Sequence, residues 1–402
     1  MSLNIGSEWH KGDIHTLVTT NQWLKKDILL NSGQLLVNNI CINGLGEISK
    51  NNNSIHSLSP YVGKIRSDLI KYLIDKYAKK KEYIYDPFCG SGTVLLEGWV
   101  KGYDVIGVDL NPYAYTLSMG KLHPLTSLSA AEEKLALYNF AVMQIAKNLS
   151  IANIPDWVKD FFNKKTLKEI CTWIMILQQN KEHFLISCLL GILHHQRPGF
   201  LSFPSSHGAP YLRSNKYPQE QFPEMYEYRN VYDRLLKKVR RAYNDSPNLD
   251  FSLSREVYLE DSSEIILSKE RLATIITSPP YMKSLTYARD NRLRLWFLGI
   301  EDWKDLDKTI SPTPEYFIDM MRNCFKKWSN LQIKNDKCVI IIGDIPITYS
   351  SKRMPLHEAM CEIAKPYYQL LEAFEDPIPE EKKMVKGNNK IKREIILILE
   401  RN

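Results

Sequence analysis

Two short segments carry residue types whose order suits chemistry. The first is Asp86-Pro87-Phe88-Cys89-Gly90-Ser91-Gly92-Thr93. Gly90 and Gly92 lack a Cβ, so a ligand can approach their backbone closely. Asp109 closes the next strand-like run, a place from which a carboxylate accepts hydrogen bonds from both hydroxyls of a ribose. The third glycine of the dinucleotide pattern is missing, because Leu95 occupies its position. No G-x-x-x-x-G-K-[ST] phosphate loop occurs either. A nucleoside-bearing cofactor without a pyrophosphate fits this pattern, and S-adenosylmethionine is the obvious one. The plain alternative is a tight strand–helix turn with no ligand. The Asp-Pro-Phe before the glycines and the placed Asp109 weigh against it.

The second segment is Thr277-Ser278-Pro279-Pro280-Tyr281. Two prolines stop the preceding strand and stiffen the turn. Ser278 and the Pro279 carbonyl are hydrogen-bond acceptors, and Tyr281 offers a flat face. Such a group suits a planar base with an NH2 substituent. The lone pair of an exocyclic amine is delocalised into its ring, so the nitrogen is a poor nucleophile. Fixed acceptors for both N–H groups push it towards tetrahedral geometry and free the lone pair to attack a sulfonium methyl. Positioning and electrostatics then supply most of the acceleration. Taken alone, Ser-Pro-Pro-Tyr reads as a proline-rich loop. Its company with the first segment favours a catalytic role.

The elements that position these segments alternate strand and helix. Helical spacing runs over Leu69–Ala78, followed by a β-prone run from Glu82 to Asp86, the glycine turn, a helix over Thr93–Lys101 and a strand over Asp104–Val108. That is the unit of a parallel α/β sheet. Between His123 and Asp250 the alternation is lost. Helices are expected from Ser129, over Thr166–Gln179, over His183–His195 and over Tyr226–Tyr243. Strand patterns return at Glu256–Leu259, Leu272–Thr277, Cys338–Ile342 and Glu394–Leu399. The charged Glu380–Lys392 stretch reads as an exposed loop. These runs divide the chain into residues 1–54 of unread role, a cofactor-binding half at 55–122, a helical insert at 123–250 and a catalytic half at 251–402.

Composition narrows the setting. With 44% hydrophobic and 25% charged residues, the chain can bury a sizeable core. There are 53 Lys and Arg against 46 Asp and Glu, a formal charge of +7, which suits a polyanionic partner. Seven cysteines, none at C-x-x-C spacing, argue against a disulfide framework or zinc site and for a reducing cytoplasm. No secretory signal or membrane-length apolar run is legible, and no metal is expected.

Together the two segments resemble the amino-group DNA methyltransferases of restriction–modification systems. DPFCGSGT is similar to their cofactor motif and TSPPY to their catalytic motif. The serine form is typical of the cytosine-N4 enzymes, whereas adenine-N6 enzymes usually carry Asp or Asn there. His56 to Lys64 resembles an additional cofactor motif, which implies Tyr61 and Lys64 as contacts. Gly107 to Pro112 resembles the ribose motif with Asp109 and Leu110. Glu260-Asp261-Ser262-Ser263 resembles the acidic motif, with Asp261 meeting the adenine amine. Tyr287 to Arg292 resembles the continuation of the catalytic region.

The resemblance implies an α/β fold, a Rossmann-like seven-stranded class I methyltransferase sheet with an inserted, mainly helical subdomain. It implies S-adenosylmethionine held by Tyr61, Lys64, Asp86, Phe88, Gly90, Ser91, Gly92, Thr93, Asp109, Leu110 and Asp261. Catalysis falls to Ser278, Pro279, Pro280 and Tyr281, acting on a base flipped out of double-stranded DNA. A restriction endonuclease acting on the same site is the partner such an enzyme would have. Arg197, Arg213 and Lys216 are candidates for DNA contact, and the insert for choice of sequence. The basic helix ending at Arg241 is either a solvated face or a phosphate binder. His194 and His195 read as structural, since no third metal ligand has fitting spacing. Rival readings are an adenine-N6 enzyme, an RNA base methyltransferase and a non-catalytic DNA-binding subunit with this fold. A carbon-5 cytosine enzyme is excluded, because no Pro-Cys dipeptide supplies its nucleophile.

Overall fold

The computed structural model describes residues 29–31, 34–36, 53–269, 271–280, 282, 287–377 and 393–402. Tyr281, the Glu380–Lys392 stretch and most of residues 1–54 lie outside the described residues.

Seven strands form one sheet: β1 (Ile84–Asp86), β2 (Val105–Asp109), β3 (Arg255–Leu259), β4 (Thr274–Thr277), β5 (Lys337–Gly343), β6 (Tyr368–Pro377) and β7 (Arg393–Arg401). Their spatial order is β6-β7-β5-β4-β1-β2-β3. The strands from β5 to β3 pair in parallel, and β7 is antiparallel to both its neighbours. This is the seven-stranded Rossmann-like sheet that the resemblance implied.

The helices in chain order are α1 (Ser67–Tyr77), α2 (Thr93–Val100), α3 (Pro112–Leu122), α4 (Leu128–Ile145), α5 (Asp156–Lys159), α6 (Lys164–Gln179) and α7 (His183–Gly191). There follow α8 (Val231–Tyr243), α9 (Tyr287–Asp290), α10 (Arg292–Phe297), α11 (Trp303–Ile310), α12 (Pro314–Asn330) and α13 (Leu356–Ala364).

Period-2 alternation along the strands divides the core into two apolar layers. Ile84, Val105, Ile276, Val339 and Ile341 enter one layer. Tyr85, Ile106, Val108, Ile275 and Ile340 enter the other. Helices cover both faces, which is why β1 and β4 are buried along their whole length. On the first face α1 buries Leu69, Ile70, Leu73, Ile74 and Tyr77, one stripe at helical spacing. The second face is closed by α12 and α13, through residues such as Phe325, Trp328 and Met360. Each buried aliphatic or aromatic side chain of this kind is worth about 1.5–3 kcal/mol.

The insert does not keep its core apart. Leu135, Ile170, Leu185 and Leu235 from its helices join the same apolar layer as Leu69 and Leu95. Gly191 lies so close to residue 58 that a Cβ on it would stand 1.9 Å from the Leu58 carbonyl oxygen. The buried Arg294 of α10 donates from Nε to the Leu190 carbonyl at 3.2 Å, tying the end of α7 to the catalytic half.

Some boundaries differ from the sequence reading. The helix expected to reach His195 ends at Gly191, where the Ile192 and Leu193 carbonyls instead accept from the Leu201 and Ser202 N–H groups. The helix expected from Tyr226 starts at Val231, because the Asn230 side chain caps it at the Asp233 N–H. Strand β6 went unread. Its alternation is broken by a register shift between Leu370 and Glu372.

At the centre of the sheet, β1 and β4 are parallel neighbours. The Thr277 hydroxyl donates to Asp86 Oδ1 at 2.6 Å, fully buried. Burial pushes the Asp86 carboxyl up to about 7, although hydrogen bonds from Thr277 and the Phe88 N–H pull it back. An unfolded Asp titrates near ~3.9. The folded chain therefore holds this proton to higher pH than the unfolded chain. The associated stability is complete below the unfolded value and is lost as pH rises through about 7. Asp86→Asn removes that component, so between about pH 5 and 8 the variant should lose less stability than the parent in urea titrations; parallel losses would refute the assignment. Gly191→Ala should cost about 1–3 kcal/mol through overpacking against backbone, read as a lower thermal midpoint, and an unchanged midpoint would show that the contact yields freely.

Candidate active site

Chain order reverses between β1 and β4. From β1 the chain moves outward to β2 and β3, then crosses back to β4 on the other side. In open α/β sheets, ligand crevices form beyond the carboxyl ends of the strands at such a reversal. A cleft of about 910 Å³, open to solvent, lies there.

The β1–α2 turn supplies Asp86, Phe88, Gly90, Ser91 and Thr93 to its lining. Gly90 has φ +49, and a Cβ on it would face the Tyr61 ring at 3.4 Å. Gly92, at φ +70, caps α2. A Cβ there would meet Ser118 Oγ at 2.7 Å. Gly92 is thus required for packing against α3 and is not among the lining residues, in contrast to the sequence reading. Cys89 is buried beside Ser118 at 3.6 Å, and burial pushes its thiol well up, so it is no nucleophile.

The end of β2 supplies Asp109, Leu110 and Asn111. Asp109 Oδ2 accepts from the Gly90 N–H at 2.7 Å, and Oδ1 from the Asn111 N–H at 2.9 Å. Burial raises this carboxyl to about 6, and the two N–H groups hold it down from going further. Each oxygen keeps a further lone pair for a ligand hydroxyl. The turn after β3 supplies Asp261 and Ser262. Asp261 Oδ1 accepts from both the Ser263 N–H and hydroxyl at 2.7 Å. The Ser262 hydroxyl donates to the Pro87 carbonyl, linking this turn to the glycine turn.

The turn after β4 brings Ser278 and Pro280 into the same cleft. Ser278 Oγ is buried and has no hydrogen-bond partner among the described residues. A buried unpaired hydroxyl is costly, so the arrangement is suited to a ligand that completes it. The Pro280 carbonyl accepts from the Met282 N–H at 3.0 Å and is therefore engaged locally. Pro279 is not a lining residue, and Tyr281 lies outside the described residues.

Upstream of α1, Tyr61, Gly63, Lys64 and Ile65 form another wall. The Lys64 ammonium donates to the His56 carbonyl at 2.9 Å, and burial lowers its pKa to about 8. The Tyr61 ring lies roughly parallel to that of Tyr287, with centroids 6.2 Å apart. Tyr287, Thr309, Ile310, Pro312, Tyr316 and Met320 also line the cleft. Sequence reading did not single out these six as site residues. They come from α9, α11, α12 and their connections, where an apolar or aromatic residue looks the same whether it meets core or ligand.

The candidate DNA contacts lie elsewhere. Arg197, Arg213 and Lys216 belong to the turn-rich segment between α7 and α8, and none lines the cleft. Arg213 donates to Gln196 Oε1 at 2.7 Å. In the basic helix α8, Arg240 pairs with Glu132 at 2.6 Å, Lys238 donates to the Ser57 carbonyl at 2.5 Å and Arg234 to the Pro198 carbonyl at 3.3 Å. These three cations hold the helix to its neighbours. His194 is buried with Nδ1 3.1 Å from the Ser206 carbonyl, and His195 stacks on Phe200 at 4.8 Å, both structural arrangements.

Residues 38–120 match a family model for N6 and N4 methyltransferases, described as DNA methylase. The type II methyltransferase M.MvaI of Kocuria varians is 28% identical over 287 residues, 64% of this chain and 60% of that protein. M.BsoBI of Geobacillus stearothermophilus is 24% identical over 278 residues, 63% of this chain and 54% of that protein. M.MjaII of Methanocaldococcus jannaschii is 34% identical over 114 residues, 28% of this chain and 21% of that protein. The chain thus spans 60% or less of the length of these curated relatives, and the residues that match the family model include the glycine turn.

Proposed function

We propose that this chain is an S-adenosylmethionine-dependent DNA methyltransferase that modifies an exocyclic amine, and that the amine is N4 of cytosine. The observation that carries the reading is the single cleft holding the Gly90 turn, the buried Asp109 carboxylate and the unpartnered Ser278 hydroxyl. The match of residues 38–120 to the DNA methylase family supports it. The serine that opens Ser278-Pro279-Pro280-Tyr281 supports cytosine over adenine.

The residues fit the cofactor. Asp109 accepts from the ribose hydroxyls, and Asp261 accepts from the adenine amine. Gly90 leaves the backbone bare beneath the Tyr61 ring, and Lys64 brings a cation for the amino-acid carboxylate. Phe88, Leu110 and Ile310 line the same cleft and exclude water. When bound, S-adenosylmethionine supplies an electrophilic sulfonium methyl group.

On the other side Ser278 Oγ and the Pro279 carbonyl accept the two N–H groups of the target amine, with the base resting against Tyr281. The nitrogen lone pair, withdrawn from the ring by those contacts, attacks in line. A carbon–nitrogen bond forms, the carbon–sulfur bond breaks, and the nitrogen releases one proton to solvent. Extrusion of the base from the duplex brings it within reach. Arg197, Arg213 and Lys216 bind phosphates, and the insert selects the sequence.

Three measurements test this. Mass spectrometry of DNA digested after reaction should find N4-methylcytosine. N6-methyladenine would overturn the choice of base, and unmodified DNA the whole reading. Ser278→Ala should lower the transfer rate by about 100-fold while titration calorimetry shows cofactor binding intact; normal turnover would remove Ser278 from catalysis. Asp109→Ala should weaken cofactor binding by about 10-fold or more, and unchanged affinity would place the ribose elsewhere.

A further inference from the structure

A second pocket, a depression of about 730 Å³ wide open to solvent, lies where the insert meets the catalytic half. Trp157, Asp160, Phe161 and Tyr211 reach it from the insert, and Arg292 and Trp303 from the catalytic half. The Arg292 guanidinium stands 4.5 Å from the centre of the Tyr211 ring. It donates to the Pro210 carbonyl and, at 3.2 Å, to the Arg289 carbonyl. A guanidinium has about five N–H donors, so some stay available. The Asp160 carboxylate is exposed on the same pocket.

This combination selects its ligand. Trp157, Phe161, Tyr211 and Trp303 are among the lining residues, and aromatic side chains favour a flat ring. Arg292 offers donors to ring or carbonyl acceptors, and Asp160 accepts from N–H groups. A bare phosphate would meet Asp160 as a like charge, and a purely apolar ligand would leave both charged groups unused. A nucleobase has the flat face, the acceptors and the donors together.

The pocket also has a fixed place relative to the cleft. Trp303 starts α11 and lines the second pocket, while Thr309 and Ile310 end α11 and line the cleft. Eight residues of helix span about 10 Å at ~1.5 Å each. That equals about three base steps of ~3.4 Å along one strand.

We propose that this pocket captures a second nucleobase of the substrate DNA, unstacked about three steps from the methylated one, and reads its identity. The inference rests on the DNA methyltransferase reading above. Stacking supplies affinity, and Arg292 with Asp160 supplies discrimination. Because the pocket joins insert and catalytic half, its filling couples recognition of sequence to the position of α11 at the cleft.

The test uses the full chain and a duplex carrying the methylated site, located by long-read sequencing of modified DNA. Tyr211→Ala and Asp160→Asn alter the pocket and leave every cleft-lining residue in place. Each variant and the parent are assayed on that duplex and on its single-base substitutions. In both variants S-adenosylmethionine affinity should be unchanged, KM for DNA should rise about tenfold, and kcat should move by less than about twofold. Discrimination should fall by about tenfold at one position, near three bases from the methylated base. Parental kcat/KM for both variants on every duplex would overturn the proposal. So would an even loss of affinity at all positions, the mark of a phosphate contact. Transfer by the parent to RNA and not to DNA would instead overturn the function, and the parent's own activity separates the two failures.

Discussion

A buried hydrogen bond between the ends of two strands underlies the site. The Thr277 hydroxyl and the Asp86 carboxyl close the carboxyl ends of two adjacent parallel strands. One strand runs on into the glycine turn and the other into the proline turn. With the strands in register, the two turns are held side by side over one cleft. A second link, from the Ser262 hydroxyl to the Pro87 carbonyl, brings the acidic turn of β3 to the same place. Three segments far apart in the chain thus meet through short contacts between their first residues.

Burial has a cost in this arrangement. Asp86, Asp109 and Glu97 all have carboxyls raised by desolvation, to about 7, 6 and 7. Asp109 is compensated by two backbone N–H groups, and Asp86 by one N–H and a hydroxyl. Such groups persist in a folded chain when the surrounding structure is stable enough to hold them. Here the two apolar layers of the sheet do so. Among the described residues, Thr93 Oγ1, Asn111 Nδ2 and Ser278 Oγ line the cleft buried and without a partner, and Ser278 Oγ lies where the proposed chemistry needs an acceptor.

The insert is bound into this frame at several points. Its helices extend the apolar layer that covers one face of the sheet. Gly191 lets α7 lie against the backbone at Leu58, just ahead of the Tyr61 wall. Arg294, buried, satisfies its guanidinium with the Leu190 carbonyl, the Asn291 side chain and the Tyr113 ring. A buried cation without such partners would be strongly destabilising. Through these contacts α7 and α10 tie the insert to the sheet beside the cleft.

Local chemistry made part of this legible from residues alone. Glycines that must accept positive φ, prolines that end a strand and acids that end strands β1 and β2 carry their reasons in their own backbone and side chains. So Asp86, Gly90, Asp109, Ser278 and, through the resemblance, Asp261 could be named before any coordinates. Burial on both faces also writes itself into a strand as an unbroken apolar run, which exposed β4 and β5. The rest depends on distance through space. Nothing near Thr309, Ile310 or Tyr316 distinguishes a cleft-facing residue from a core one. That Ser118 Oγ lies where a Cβ on Gly92 would stand is a contact only the fold brings about. The second pocket draws Trp157, Tyr211, Arg292 and Trp303 from four separate stretches of chain. Only the packing of the insert against the catalytic half, a matter of long-range shape rather than local pattern, sets them around one space.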